Sequence, residues 1–154
     1  AQQPSRFLLP RRYEQKSASC GQRNDRCAAF VGDVIFAMGC GRLFEGAPEQ
    51  MWASLLKIAA LPQHTMLYCA HEYTQANARF AESVFSDAPM RARICAVDAA
   101  RARGEPTVPM RLADELATNP FLRARHEETA ALIGMPGAGP SEVFAELRRR
   151  KDKF

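Results

Sequence analysis

Histidine is scarce in this sequence, with His64, His71 and His126 the only three in 154 residues, so a metal centre built on several imidazoles cannot come from this chain alone. Cysteine pairs of redox or metal spacing are missing as well. The five cysteines (Cys20, Cys27, Cys40, Cys69 and Cys95) include no CxxC pair, and their odd number in a chain without a secretory pattern argues for reduced thiols over a disulfide framework. Cys20 and Cys27 would hold a metal only with a second cysteine or histidine pair of suitable spacing, and none stands nearby. No apolar run approaches the roughly 20 residues a membrane span needs, and the N-terminus lacks a basic-then-apolar signal pattern. The chain therefore reads as cytoplasmic, with no membrane partner. Aromatic residues make up 8% of the sequence, and none is interleaved through the basic run Arg148, Arg149, Arg150, Lys151 and Lys153, so no nucleic-acid partner is expected.

The composition that remains is ordinary and globular, 47% hydrophobic and 25% charged with a net charge of +4, enough for one modest core or two small ones. Much of the positive charge lies in the closing basic run. Such residues suit the C-terminal end of a helix dipole, and they also make a local anion-attracting patch; spacing alone leaves both readings open.

Three regions differ in texture. Residues 1–27 are rich in Arg, Gln and Ser without a sustained period and read as loop, an atypical leader. From Ala28 to Ala37, apolar and β-branched residues flank Gly32-Asp33, predicting two short buried strands joined by a tight turn. Pro48 stands at a first helical position, and Met51, Leu55, Ile58 and Ala59 follow at helical spacing until Pro62. Residues 65–69 predict a further strand, ending just before His71. Helices are then predicted over 74–85, 88–104 and 141–154, separated by the breakers Gly104-Glu105-Pro106, Asn119-Pro120 and the Gly- and Pro-rich segment 134–140. The expected organisation is an α/β portion over 28–71 and a mostly α-helical portion over 72–154, with no internal repeat.

Asp33 and His71 both stand at predicted strand ends, where sites are commonly built. A carboxylate can bridge metal ions and a neutral imidazole can cap one. Equally, an Asp in a Gly-Asp turn often serves the turn, and an isolated His often serves local polarity. Cys40, between two glycines, is a tempting nucleophile, but no partner base is evident nearby. Trp52 and Phe121 are expected in the core.

Two segments, FVGDVIFAMGCGRLFEG (Phe30 to Gly46) and LYCAHEYTQANARFA (Leu67 to Ala81), resemble glyoxalase II, the hydroxyacylglutathione hydrolases. GEPTVP (104–109), ATNPFLR (117–123) and RRRKDKF (148–154) resemble the same family in the same order, so the likeness covers about residues 28–154. The resemblance implies the second half of a metallo-β-lactamase-like αββα sandwich followed by a helical glutathione-binding domain. It implies hydrolysis of S-(2-hydroxyacyl)glutathione, such as S-D-lactoylglutathione, to glutathione and a 2-hydroxy acid in methylglyoxal detoxification. The cofactor implied is two zinc ions, with iron or manganese suited to the same donors. By this likeness Asp33 is the bridging carboxylate and His71 a ligand of one ion. Arg42, Phe44, Tyr73, Asn77, Arg148 and Lys151 are placed on the glutathione moiety, with Arg148 and Lys151 meeting its glycyl carboxylate. Phe44 stands where some relatives carry Tyr, and Arg42 where Lys is frequent; Arg adds a bidentate donor geometry.

The family's T-H-x-H-x-D-H run is absent, as is the histidine that precedes the bridging Asp. The chain begins at Ala, and residues 1–27 do not resemble the strands expected before Asp33. A truncated or frame-disrupted product is therefore expected, incomplete in metal and monomeric if complete. A non-catalytic glutathione-conjugate binding module and a decayed fragment stand as alternatives.

Overall fold

In the computed structural model, the residues described are 27–44 and 46–154; the leader expected over 1–27 lies almost wholly outside them. The chain folds as mixed α/β. Strand β1 (Ala28–Gly32) is followed by the two-residue strands β2 (Ile35–Phe36) and β3 (Gly39–Cys40), helix α1 (Pro48–Ala59) and strand β4 (Met66–Cys69). Helices α2 (Thr74–Val84) and α3 (Ala88–Ala102) come next. Then follow β5 (Met110–Arg111), α4 (Leu112–Thr118), a 3-10 turn over Leu122–Arg125, α5 (Glu127–Leu132) and α6 (Pro140–Lys153).

The strands form a three-stranded sheet ordered β1-β4-β5, with β1 and β4 parallel and β5 antiparallel to β4, beside a small antiparallel β2-β3 hairpin. The predicted turn at Gly32-Asp33 is present: Gly32 has φ +51° and the Val34 amide donates to the Val31 carbonyl. Strand β2 nonetheless does not pair with β1: it pairs with β3, and β1 takes β4 as its parallel neighbour after the α1 crossover.

Local chemistry explains the helix limits. Pro48 and Pro140 open α1 and α6 at the position where a missing N–H costs nothing. At α6, Glu142 also accepts from the Gly139 amide at 2.8 Å. Asp87 caps α3 by accepting from the Met90 amide at 3.1 Å. Of the apolar stripe expected on α1, Leu55 is buried and Met51, Ile58 and Ala59 are half-buried against the core, with Trp52 buried beside them.

The largest buried cluster runs across residue 72, joining Val31, Ile35 and Leu67 to Phe80, Phe121, Phe144 and Leu147. Its spine is aromatic, from Trp52 against Phe144 (5.9 Å) to Phe144 against Phe121 (5.9 Å) and Phe121 against Phe80 (6.0 Å). Trp52 and Phe121 are thus core residues, as expected. Helix α4, the 3-10 turn and α5 occupy residues 112–132, for which the sequence offered only its breakers.

Candidate functional site

Parallel pairing of β1 with β4 sets the centre of the site. Gly32 registers with Cys69, and the Ala70 amide donates to the Gly32 carbonyl at 3.0 Å, so the next residues of both strands emerge at the same end. Asp33 and His71 consequently face each other, with Oδ1 and Nε2 3.5 Å apart and both side chains more than half exposed. Tyr73 stacks on the His71 ring at 5.1 Å and meets Phe36 edge-on at 5.2 Å. The loop bearing His71 and Tyr73 is held from outside by Thr107, whose amide and hydroxyl both donate to Glu72 at 2.7 Å. Those bonds, with Arg101 behind them, hold the Glu72 carboxyl below its usual range.

The β2-β3 hairpin separates Asp33 from Arg42 and is clamped by helix side chains at its backbone. Asn77 donates to the Ala37 carbonyl at 3.0 Å, and Asn119 donates to the Phe36 and Gly39 carbonyls at 3.2 and 3.0 Å. Arg148 donates to the Cys40 carbonyl at 3.0 Å. Glu115, fully buried, accepts from the Met38 amide (2.8 Å), Asn119 (3.0 Å) and Arg93 (2.8 Å). Burial pushes the Glu115 carboxyl up, and Arg93, the Met38 amide and Asn119 draw it back down. Met38 sits in the left-handed region at φ +58°, a conformation that costs a non-glycine residue and that these contacts hold in place. Gly39 packs so closely on Asn77 that a side chain there would collide with it.

A groove of about 870 Å³ opens on this framework and is lined by all eight residues singled out from sequence: Asp33, His71, Arg42, Phe44, Tyr73, Asn77, Arg148 and Lys151. A volume of that order suits a ligand of tripeptide size. The eight are not equally available. Asn77 and Arg148 are buried and engaged with the hairpin, Arg148 also donating to Asp152 at 2.8 Å. Phe44 stands almost fully exposed at the rim. Arg42 is exposed, with Nε 3.9 Å from Asp152. Lys151 donates to the Ala76 carbonyl at 3.2 Å and lies over the Phe80 and Phe154 rings. Burial, then the charges of Arg148, Arg79 and Arg42, lower its ammonium pKa.

The basic run thus splits by helical period. Arg149 and Arg150 turn away and pair with Glu146, whereas Arg148 and Lys151 face the groove. Cys40 also lines the groove, but burial pushes its thiol up to about 12 and it lies under Arg148, so no thiolate is available at neutral pH.

Asp33 and His71 are donors of metal-ligand type at a common rim, yet among the described residues no group of three or more His, Cys, Asp or Glu comes together as a metal site. The described residues therefore do not fit a metal centre by themselves. Glu72, Thr107, Glu115 and Asn119 were not reached from sequence as supports of the site. Their hairpin and loop partners lie 35, 77 or 80 positions away, and the one signal was that Glu72, Thr107 and Asn119 fall inside the LYCAHEYTQANARFA, GEPTVP and ATNPFLR segments.

The family model described as "Hydroxyacylglutathione hydrolase C-terminus" matches residues 72–154. Curated proteins named "Hydroxyacylglutathione hydrolase" from Methylococcus capsulatus and Ruegeria pomeroyi are 56% identical over 131 residues and 57% identical over 128 residues. These alignments cover 84% and 82% of this chain, and 51% and 50% of the relatives. A third, from Alkalilimnicola ehrlichii, is 59% identical over 131 residues, covering 82% of this chain and 51% of that protein. The chain spans about half the length of the curated relatives it matches. At that identity over most of its length, the chain belongs to the hydroxyacylglutathione hydrolase family.

Proposed function

We propose that this chain supplies the glutathione-binding groove, and two of the metal-ligand donors, of an enzyme that hydrolyses S-(2-hydroxyacyl)glutathione to glutathione and a 2-hydroxy acid. The carrying observation is the shared groove, in which Asp33 and His71 face each other within reach of the cations Arg42 and Lys151. A glutathione conjugate offers carboxylates to the cations and a thioester to the rim. Tyr73, fixed between His71 and Phe36, would hydrogen-bond the peptide, and Phe44 would cover it from the edge. Arg148 and Asn77 act mainly by holding the hairpin, since their donors already have protein acceptors. Zinc, or iron or manganese at the same kind of donors, is assigned to the complete protein, in which the three-stranded sheet would form part of a larger αββα sandwich. The 71/72 division between an α/β and a glutathione-binding unit, a cytoplasmic location and a monomeric complete enzyme belong to the same proposal.

The test is calorimetric titration of the purified chain with glutathione, followed by metal content and S-D-lactoylglutathione turnover. Binding should weaken at least tenfold, about 1.4 kcal/mol, in Lys151→Ala and Arg42→Ala. A chain that ignores glutathione sinks the proposal. Binding without turnover or metal would favour the non-catalytic binding module.

A further inference from the structure

The groove holds one more cation than the resemblance assigned. Arg79, on α2, lines it together with Arg42, Arg148 and Lys151, against the carboxylates Asp33 and Asp152. Those cations differ in what they already hold. Arg148 is spent on the hairpin and Asp152, Arg42 leans on Asp152, and Lys151 has the Ala76 carbonyl and two aromatic faces.

Arg79 is different. Among the described residues every other arginine makes a hydrogen bond or ion pair, including exposed ones such as Arg91, Arg103 and Arg111, and Arg79 makes neither. It is close enough to Lys151 that its charge helps lower the Lys151 pKa. An exposed guanidinium with no internal acceptor among the described residues, placed beside other cations, presents its whole fork of donors to an incoming anion. The groove's surplus of positive charge calls for a ligand with more than one negative group. A guanidinium meets a carboxylate with two parallel N–H donors, a geometry an ammonium cannot offer.

We infer that Arg79 is a substrate-binding residue that takes a carboxylate of the glutathione moiety, alongside the one met by Lys151. This rests on the glutathione reading of the groove and adds a determinant to it. Because Arg79 is exposed and unpaired among the described residues, its role is separable from folding.

Glutathione and glutathione diethyl ester, in which both carboxylates are neutralised, are titrated into the 154-residue chain and its Arg79→Ala, Arg79→Lys and Lys151→Ala variants, with thermal unfolding alongside. Arg79→Ala should unfold at the same temperature as the unaltered chain and bind glutathione about tenfold more weakly. Arg79→Lys should recover part of the loss, since it keeps the charge but not the fork. Esterification should cost the unaltered chain more affinity than it costs Arg79→Ala, because one carboxylate partner is already gone in the variant. Unchanged glutathione affinity in Arg79→Ala, with Lys151→Ala impaired, would overturn the role of Arg79 and leave the groove reading intact. An equal loss for glutathione and its diester would overturn it too, since charge would not be what Arg79 reads. No binding by the unaltered chain would overturn both.

Discussion

Met38 enters the left-handed region with its amide aimed at a carboxylate that has no access to water, and that carboxylate decides the cost of the conformation. Glu115 also accepts from Asn119 and Arg93; without it the Met38 amide loses its acceptor and Arg93 keeps only Asp114 at 3.5 Å, while Asn119 still has the Phe36 and Gly39 carbonyls. A buried donor left without its acceptor and a weakened ion pair are costly, and Glu115→Ala should lower stability by about 3 kcal/mol, read as a fall in the urea midpoint. Glu115→Gln should cost less, because an amide oxygen can still accept from the Met38 amide while the added NH2 confronts Arg93. Equal losses in the two variants would mean that the volume of the side chain matters and its acceptor does not. Sequence could not supply this residue. Its partner Met38 lies 77 positions earlier, beyond the reach of any local pattern.

Elements were legible in proportion to how local their causes are. Helix α1 is written in Pro48 and a four-residue apolar rhythm, and the Gly32-Asp33 turn in its own two residues. Helix α4 and the 3-10 turn owe their form to packing against α6 and α3, which no local pattern carries. The eight residues that the family resemblance singled out line one groove, whereas the hairpin contacts that already occupy Asn77 and Arg148 were not legible in the sequence. Helix α6 shows how a readable charge run takes on two jobs. On its outer side Glu146 bridges Arg149 and Arg150, each at 2.7 Å, and these hold its carboxyl down to about 2 against an ordinary 4.5. The depressed value makes the contribution present above pH 4.5 and lost as pH falls from there toward 2. Because Arg149 is half in solvent, the gain is about 1 kcal/mol or less. The stability difference between the unaltered chain and Glu146→Gln should therefore be constant near neutrality, shrink below pH 4.5 and vanish near pH 2 in denaturation titrations. A difference that persists at pH 2 would place the effect in helix packing, not in charge.

At the scale of the molecule, the β1 edge of the sheet has no partner strand among the described residues. Among the described residues β4 is the only neighbour of β1, and β5 closes the opposite edge against α4. One face of β1 and β4 is buried through Val31 and Leu67; on the other, Phe30 and Tyr68 stack at 5.2 Å with exposures of 79% and 41%. A strand edge with no partner among the described residues, beside exposed aromatic rings, is a surface that water tolerates poorly and another strand can cover. The curated relatives are about twice as long as the stretch this chain matches. Supplied alone, the chain should self-associate as its concentration rises, seen as a growing weight-average mass in sedimentation equilibrium. Phe30→Lys with Tyr68→Lys should suppress that association, since two like charges on one face oppose the pairing of copies. Glutathione affinity should be unchanged in the double variant, because neither residue lines the groove. Association that survives the double substitution would locate the sticky surface elsewhere, and a chain that stays monomeric throughout would show that this sheet face is stable in water uncovered.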